Sequence, residues 1–258
     1  MPLECGYYQP ELAADRTIRR RYGVLGGTFD PPHYGHLVIA QEVLWALRLD
    51  LMVFVPAGSP PHKQGWIISP PEQRREMVEL AIMANPGFAL SRVDLDRPGP
   101  SYTVDTLRLL RQEWGPETAI YWTMGWDMLD EILTWHDPAG IFATADYVVA
   151  MHRPGYAHDG AAIARLEAAI PGASQKVIPL AVPQYAITST SLRQRVAQNM
   201  PIRYQVPEAV EAYIREHGLY RNSDQQSAMG AQQPAAPLFH RQPMEGDSAG
   251  CSVGREAR

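Results

Sequence analysis

Lysine, cysteine and long apolar runs are the scarce features of this 258-residue chain. Of its 23 basic residues only Lys63 and Lys176 are lysines, and the rest are arginines. Its two cysteines, Cys5 and Cys251, each stand near a chain end. That excludes a disulfide scaffold and a cysteine-rich zinc site, and it suits a reducing cytoplasm. No run approaches the ~20 apolar residues of a membrane helix. Residues 1–21 have no apolar core behind a basic start, so a secretory signal is not expected. Positive charge is not in excess: 23 basic against 28 acidic residues leave a formal charge of -5. A long nucleic acid partner is thereby disfavoured, although a local basic pocket is still allowed. Also missing are the G-x-G-x-x-G of dinucleotide-binding dehydrogenases and the G-x-x-x-x-G-K-[ST] of P-loop proteins.

Apolar residues make up 45% and charged residues 20% of the chain, which excludes wholesale disorder and allows a sizeable core. Residues 1–21 show little apolar periodicity and end in Arg19-Arg20-Arg21; they read as a loosely held leader. After Arg221 the composition turns to Gln, Ala, Gly, Ser and Pro, so 222–258 reads as a disordered tail. Between them, residues 22–221 form one expected domain. Strands are expected at Tyr22–Gly26, Leu51–Pro56, Phe88–Val93, Ala119–Met124, Tyr147–Met151 and Val177–Leu180. Helices are expected at Leu37–Leu49, Pro70–Ala84, Val104–Trp114, Ala161–Ala169 and Pro207–His217. This alternation predicts an α/β fold: a Rossmann-like, doubly wound parallel sheet with helices on both faces. Ligands then bind beyond the C-terminal ends of the strands, so chemistry is to be sought in the loops after them. The 23 prolines exceed the ~5% average and fall partly in such loops: Pro31 and Pro32, Pro60 and Pro61, Pro98 and Pro100.

The first of these loops reads Gly26-Gly27-Thr28-Phe29-Asp30-Pro31-Pro32-His33-Tyr34-Gly35-His36. Glycines let backbone approach a ligand closely, and the N–H groups of a helix start favour an anion. Two imidazoles three residues apart at that helix mouth suit a polyphosphate whose charge grows during reaction. Taken alone, H-x-x-H also fits a turn with two structural histidines, or a zinc site completed by His62. Lys63, in Pro60-Pro61-His62-Lys63 after the second strand, is a compact point charge for an oxygen-rich ligand. Ser101 in Ser101-Tyr102-Thr103 fits a cap on the helix that follows, and Asp127 in Gly125-Trp126-Asp127 fits a cap on a helix starting near Met128. Ile187-Thr188-Ser189-Thr190-Ser191-Leu192-Arg193 clusters hydroxyls at a helix start, with Arg193 one turn inside.

The string GGTFDPPHYGH resembles the phosphate-binding motif of nucleotidyltransferase-superfamily enzymes, built on an H-x-G-H tetrad. More closely, residues 22–221 resemble the bacterial nicotinate mononucleotide adenylyltransferase family, since PPHK, SYT-x-x-TL, G-x-D and an I-S-[ST]-T-x-[IL]-R-like segment recur in order. Thr188 stands where serine is usual, Trp126 where a small residue is usual, and His136 where tyrosine is commoner. The resemblance implies transfer of AMP from ATP to nicotinate mononucleotide, giving nicotinate adenine dinucleotide and pyrophosphate. It implies ATP contacts from Gly26, Gly27, Thr28, Phe29, His33, His36, Ser189, Thr190 and Arg193, with His33, His36, Lys63 and Arg193 acting on the phosphates. It places Thr103, Asp127, Trp135 and His136 at the mononucleotide: Thr103 along the nicotinate pocket, Asp127 on a ribose hydroxyl, Trp135 stacked on the pyridine. Mg²⁺ is expected to arrive with ATP, with no tightly bound cofactor. No membrane and no long nucleic acid are expected as partners, a homo-oligomer is allowed, and the location implied is the cytoplasm. The alternatives are another H-x-G-H enzyme, acting on nicotinamide mononucleotide or phosphopantetheine, and a non-catalytic nucleotide-binding regulator.

Overall fold

In the computed structural model, residues 18–60, 68–152, 160–183 and 185–221 are described, all in a unit that ends at Arg221. The segments 1–17 and 222–258, and with them His62 and Lys63, lie outside the described residues. Six strands form one parallel sheet: β1 (Arg20–Gly27), β2 (Leu51–Pro56), β3 (Phe88–Leu90), β4 (Thr118–Gly125), β5 (Tyr147–His152) and β6 (Val177–Ala181). Their order is β3-β2-β1-β4-β5-β6. The helices are α1 (Tyr34–Ala46), α2 (Pro71–Ile82), α3 (Thr103–Trp114), α4 (Trp126–Glu131), α5 (Pro138–Thr144), α6 (Ala161–Ala169), α7 (Ser189–Ala197) and α8 (Glu208–Glu216).

The strands are apolar on both sides, as a sheet covered by helices requires. In β2, Val53 and Val55 face one core with α3 to α6, while Met52 and Phe54 face another with α1 and α2. A third cluster joins Met77 of α2 to Leu192 of α7 and to Val210, Tyr213 and Ile214 of α8. The expected α/β architecture with helices on both faces is therefore the one observed.

Differences from the sequence reading have local causes. β1 starts at Arg20, inside the expected leader, because Arg20 and Arg21 pair with Thr118 and Ala119 of β4. α1 begins three residues before its apolar periodicity, because His33 in extended conformation opens it. β3 stops at Leu90, and the parallel ladder with β2 closes with the Ser91 N–H donating to the Phe54 carbonyl at 2.9 Å. α5 was not expected from periodicity; the Asp137 carboxylate caps Gly140 N–H at 2.9 Å and Pro138 occupies its first position. Lys176 is structural, donating to the carbonyls of Phe142 (2.5 Å) and Ala145 (3.0 Å) at the C-terminal end of α5, where a cation is favoured.

Two expected caps are corrected. Ser101 does not cap α3; Tyr102 precedes the helix, and the Ser101 hydroxyl accepts from Ser59 N–H at 3.2 Å. Asp127 does not cap α4, which starts at Trp126 after Gly125, so Asp127 sits in the first turn.

Gly58 marks where the loop after β2 passes under the chain leading to α3: a Cβ there would overlap the backbone oxygen of Asp94. Because backbone cannot yield as a flexible side chain can, Gly58→Ala is expected to destabilise the protein by about 1–3 kcal/mol. Urea unfolding at fixed pH reads this directly, and an unchanged midpoint would refute the crowding.

Candidate active site at the reversal of strand order

The β1–β4 ladder ends at Val24↔Trp122, yet β1 continues to Gly27 and β4 to Gly125. The chain leaves β1 toward α1 on one face and leaves β4 toward α4 on the other. Such a reversal opens a crevice between the strand ends. A cavity of about 870 Å³ fills it, lined by Gly26, Gly27, Thr28, Thr103, Trp135 and His136 among others. A Cβ on Gly26 would meet nothing within 4 Å, so this glycine presents bare backbone to open space. Gly27 is needed for a different reason: its Cβ would meet the Phe29 ring at 2.9 Å.

The two histidines stand at the start of α1. Their rings stack with centroids 3.7 Å apart, and the edge-on ring of Phe29 lies 5.0 Å from His36. Gly35 makes the stack possible, because a Cβ there would meet His33 Nδ1 at 2.9 Å. The backbone N–H of His33 donates to His36 Nδ1 at 3.2 Å. An Nδ1 that accepts leaves the proton of a neutral imidazole on Nε2. His33 is 6% exposed, and burial pulls its imidazole down to about 4 from the ordinary 6.5. It is neutral at pH 7.

α7 brings the second motif to the first across some 160 positions of chain. The Ser189 hydroxyl donates to the Pro31 carbonyl at 2.8 Å, and Arg193 Nη1 donates to the Asp30 carbonyl at 2.7 Å. Arg193 Nη2 also reaches Thr190 Oγ1 at 3.3 Å. Thr188 caps the helix, accepting from Ser191 N–H at 3.0 Å. The N-termini of α1 and α7 therefore flank one loop, and two helix starts add positive potential.

The expected site residues fall into separate groups. Gly26, Gly27, Thr28, Thr103, Trp135 and His136 share the cavity. His33, His36, Ser189, Thr190 and Arg193 gather around the starts of α1 and α7, with Phe29 linking the two groups. Asp127 is exposed and outside the cavity lining. Lys63 lies outside the described residues. Trp135 meets Trp122 edge-on at 5.7 Å, and the exposed His136 stacks on Tyr102 at 4.3 Å. Trp126 is buried in the core with its ring edge-on to His152 at 6.0 Å, so it does not shape the cavity. Among the described residues no group of three or more His, Cys, Asp and Glu could hold a metal ion.

Sequence reasoning passed over the residues beneath the loop. Asp30 is 2% exposed and accepts from Tyr220 O–H at 2.6 Å and Ser69 N–H at 3.2 Å. Arg74 of α2 is 1% exposed. Burial lowers its pKa, and the Asp30 carboxylate opposes that shift. Burial also raises Tyr220, with the Asp30 charge adding to it. A signal was there: Arg74 precedes Met77, Val78 and Ala81 by three, four and seven residues, which puts it on the apolar stripe of α2. Asp94 is a second buried acid, in the cavity wall, held by Thr106 Oγ1 at 2.8 Å and Arg97 Nε at 2.9 Å.

A parallel sheet with this strand order, and paired histidines at the first helix start facing a hydroxyl-rich second helix start, define an α/β nucleotidyltransferase class. The family model "Cytidylyltransferase-like" matches residues 24–195. A relative from Roseiflexus sp. (strain RS-1), "Probable nicotinate-nucleotide adenylyltransferase", is 50% identical over 77% of this chain and 97% of its own. A relative of the same name from Moorella thermoacetica is 44% identical over 78% and 92%. Among solved structures, Plasmodium falciparum nicotinic acid mononucleotide adenylyltransferase complexed with NaAD shares the fold, with a TM-score of 0.62, 17% identity, and coverage of 78% and 97%. The chain belongs to the cytidylyltransferase-like family and, within it, to the nicotinate-nucleotide adenylyltransferase relatives.

The low pKa of His33 carries a pH signature. Below 6.5 the unfolded chain takes up a proton that the native imidazole refuses until about pH 4. Stability from this group is complete above 6.5 and is lost as pH falls toward 4. Between pH 7 and pH 4.5 the wild-type protein should lose roughly 2–3 kcal/mol more than His33→Asn. Parallel pH profiles of the urea midpoints for the two proteins would contradict the assignment.

Proposed function

We propose that this protein is an adenylyltransferase that joins AMP from ATP to nicotinate mononucleotide, releasing pyrophosphate and forming nicotinate adenine dinucleotide for NAD biosynthesis. The observation that carries the proposal is the junction of the two motifs at the crevice mouth, Ser189 on Pro31 and Arg193 on Asp30. It occurs in a chain that shares 44–50% identity with relatives named for this activity.

A phosphate oxygen of the mononucleotide attacks the α-phosphorus, and the bond from that phosphorus to the bridging oxygen of pyrophosphate breaks. The attacking oxygen is already anionic, so no protein nucleophile or general base is needed. The protein positions two anions and offsets the charge that builds on the leaving group. In this reading the Nε2–H groups of His33 and His36 donate to the triphosphate, with His36, the less buried ring, nearest the changing charge. Ser189, Thr190 and the start of α7 take the distal phosphates. Arg193 and Lys63 offset the charge of departing pyrophosphate. Gly26, Gly27, Thr28 and Phe29 offer backbone to the nucleotide. Thr103, Trp135 and His136 line the far side of the cavity for the nicotinate ring, and Asp127 receives a ribose hydroxyl.

The family's nucleotide transfer implies a metal. The donor set among the described residues fits Mg²⁺ carried by the triphosphate rather than by a cage of carboxylates. Bound that way it supplies charge neutralisation. Among the described residues no helix is long and apolar enough to cross a membrane, and the proposal places the enzyme in the cytoplasm.

Pyrophosphate release from ATP tests the function, with nicotinate mononucleotide, nicotinamide mononucleotide and phosphopantetheine compared side by side. The nicotinate form should give the highest kcat/KM, and a larger value with another acceptor would replace it as the substrate. His36→Ala should lower turnover about a hundredfold or more while circular dichroism stays that of the wild type. Near-normal turnover would remove His36 from the reaction.

A further inference from the structure

Arg74 is built to hold backbone. Its Nη1 donates to the Thr28 carbonyl at 2.9 Å, its Nε to Ser69 at 3.0 Å and its Nη2 to Gly58 at 3.2 Å. The three acceptors belong to the loop after β1, the loop after β2 and the start of α2. A guanidinium is a rigid planar fork, so three bonds in one plane fix those carbonyls relative to one another. A buried cation needs compensation. Asp30 gives it through space, while the donors themselves are spent on neutral carbonyls.

The consequence falls on the peptide between Thr28 and Phe29. It is trans, so its C=O and N–H point in opposite directions. With the Thr28 carbonyl turned onto Arg74, the Phe29 N–H is turned away from it. Phe29 has φ +51°, a left-handed conformation uncommon for a residue other than glycine. Its ring, set against His36 at 5.0 Å and Phe54 at 5.7 Å, keeps it there. Among the described residues the Phe29 N–H has no backbone acceptor. Backbone N–H groups presented through a left-handed residue form a concavity for anions.

We propose that Arg74 is a positioning residue for nucleotide transfer: by gripping the Thr28 carbonyl it aims the Phe29 N–H at a phosphate of the bound nucleoside triphosphate. The proposal rests on the adenylyl-transfer reading of the site. Arg74 itself does not touch substrate. Its charge alone is not sufficient, because a lysine at this position cannot hold three carbonyls in a plane.

Full-length Arg74→Lys is the test, with Ile214→Ala as a control that loosens the packing of α8 on α2 without touching the loop. Arg74→Lys should lower kcat/KM for ATP 10- to 100-fold and leave KM for nicotinate mononucleotide within twofold. Ile214→Ala should melt at a lower temperature yet keep both kinetic constants near wild type. An Arg74→Lys protein with wild-type kcat/KM for ATP would overturn the proposal, as would an equal loss in both variants. Should the lysine variant fail to fold, the Phe29 amide of ¹⁵N-labelled wild-type protein decides. A non-hydrolysable ATP analogue should move that resonance downfield and slow its exchange, and an unmoved resonance overturns the proposal. If the wild-type protein releases no pyrophosphate with any acceptor, the transfer reading fails; the amide experiment still reports whether Phe29 meets a phosphate.

Discussion

Asp30 is a charged residue at 2% exposure, and much of the local architecture follows from keeping it satisfied. Its carboxylate takes Tyr220 O–H from beyond α8 and Ser69 N–H from ahead of α2. Its carbonyl takes the Arg193 guanidinium of α7. The Arg74 cation offsets its charge at longer range. Three distant parts of the sequence, around α2, in α7 and beyond α8, are thereby drawn to one loop. An uncompensated buried carboxylate would be costly, so the Tyr220 and Ser69 donors and the nearby Arg74 cation each help to keep the loop in place. Its shape is thus a property of the whole fold.

The same constraint separates what the sequence made legible from what it hid. β2 and α6 appear with the bounds that their apolar pattern suggests, because each buries a continuous hydrophobic face. The β1 and β4 cores were equally plain. The H-x-G-H and T-S-T-S strings were visible as local signals, and the resemblance they carry is borne out at the level of family. That the two strings touch is a tertiary fact; helix-start chemistry could only suggest it. Arg74 was hidden because an arginine in Glu72-Gln73-Arg74-Arg75-Glu76 looks like solvated charge, and its neighbour Arg75 is indeed paired with Glu72, Glu76 and Glu79. Only its place on the apolar stripe betrays it. Tyr220 was hidden by its position beside the polar tail. Ser101 misled because a serine ahead of a helix has two uses, and here the hydroxyl serves the Ser59 backbone instead of the helix.

The two imidazoles show how one motif divides its work. Packed at 3.7 Å and nearly parallel, they would repel strongly if both carried charge. Burial settles His33 as neutral, and Gly35 leaves just enough room for its ring. His36 accepts at Nδ1 and is oriented from both sides, by His33 and by the edge of Phe29. The spacing H-x-G-H is therefore a packing solution as much as a chemical one. The glycine permits the stack.

An acidic protein with two lysines is at first sight poorly equipped to manage a triphosphate. One of those lysines, Lys176, is spent on the end of α5. Arg193 apart, the groups proposed to meet the triphosphate carry little or no net charge: two helix starts, the buried His33 imidazole, hydroxyls and exposed glycine backbone. These groups gain strength from being held in place in a partly enclosed crevice, because no reorganisation is needed when charge moves. Mobile cations would bind the triphosphate before and after reaction alike, which tightens the substrate complex without speeding transfer. Fixed dipoles aimed at one geometry discriminate better, provided that their aim is secured. Here the aim comes from below the loop, where buried Arg74 and Asp30 hold the backbone while facing no substrate at all.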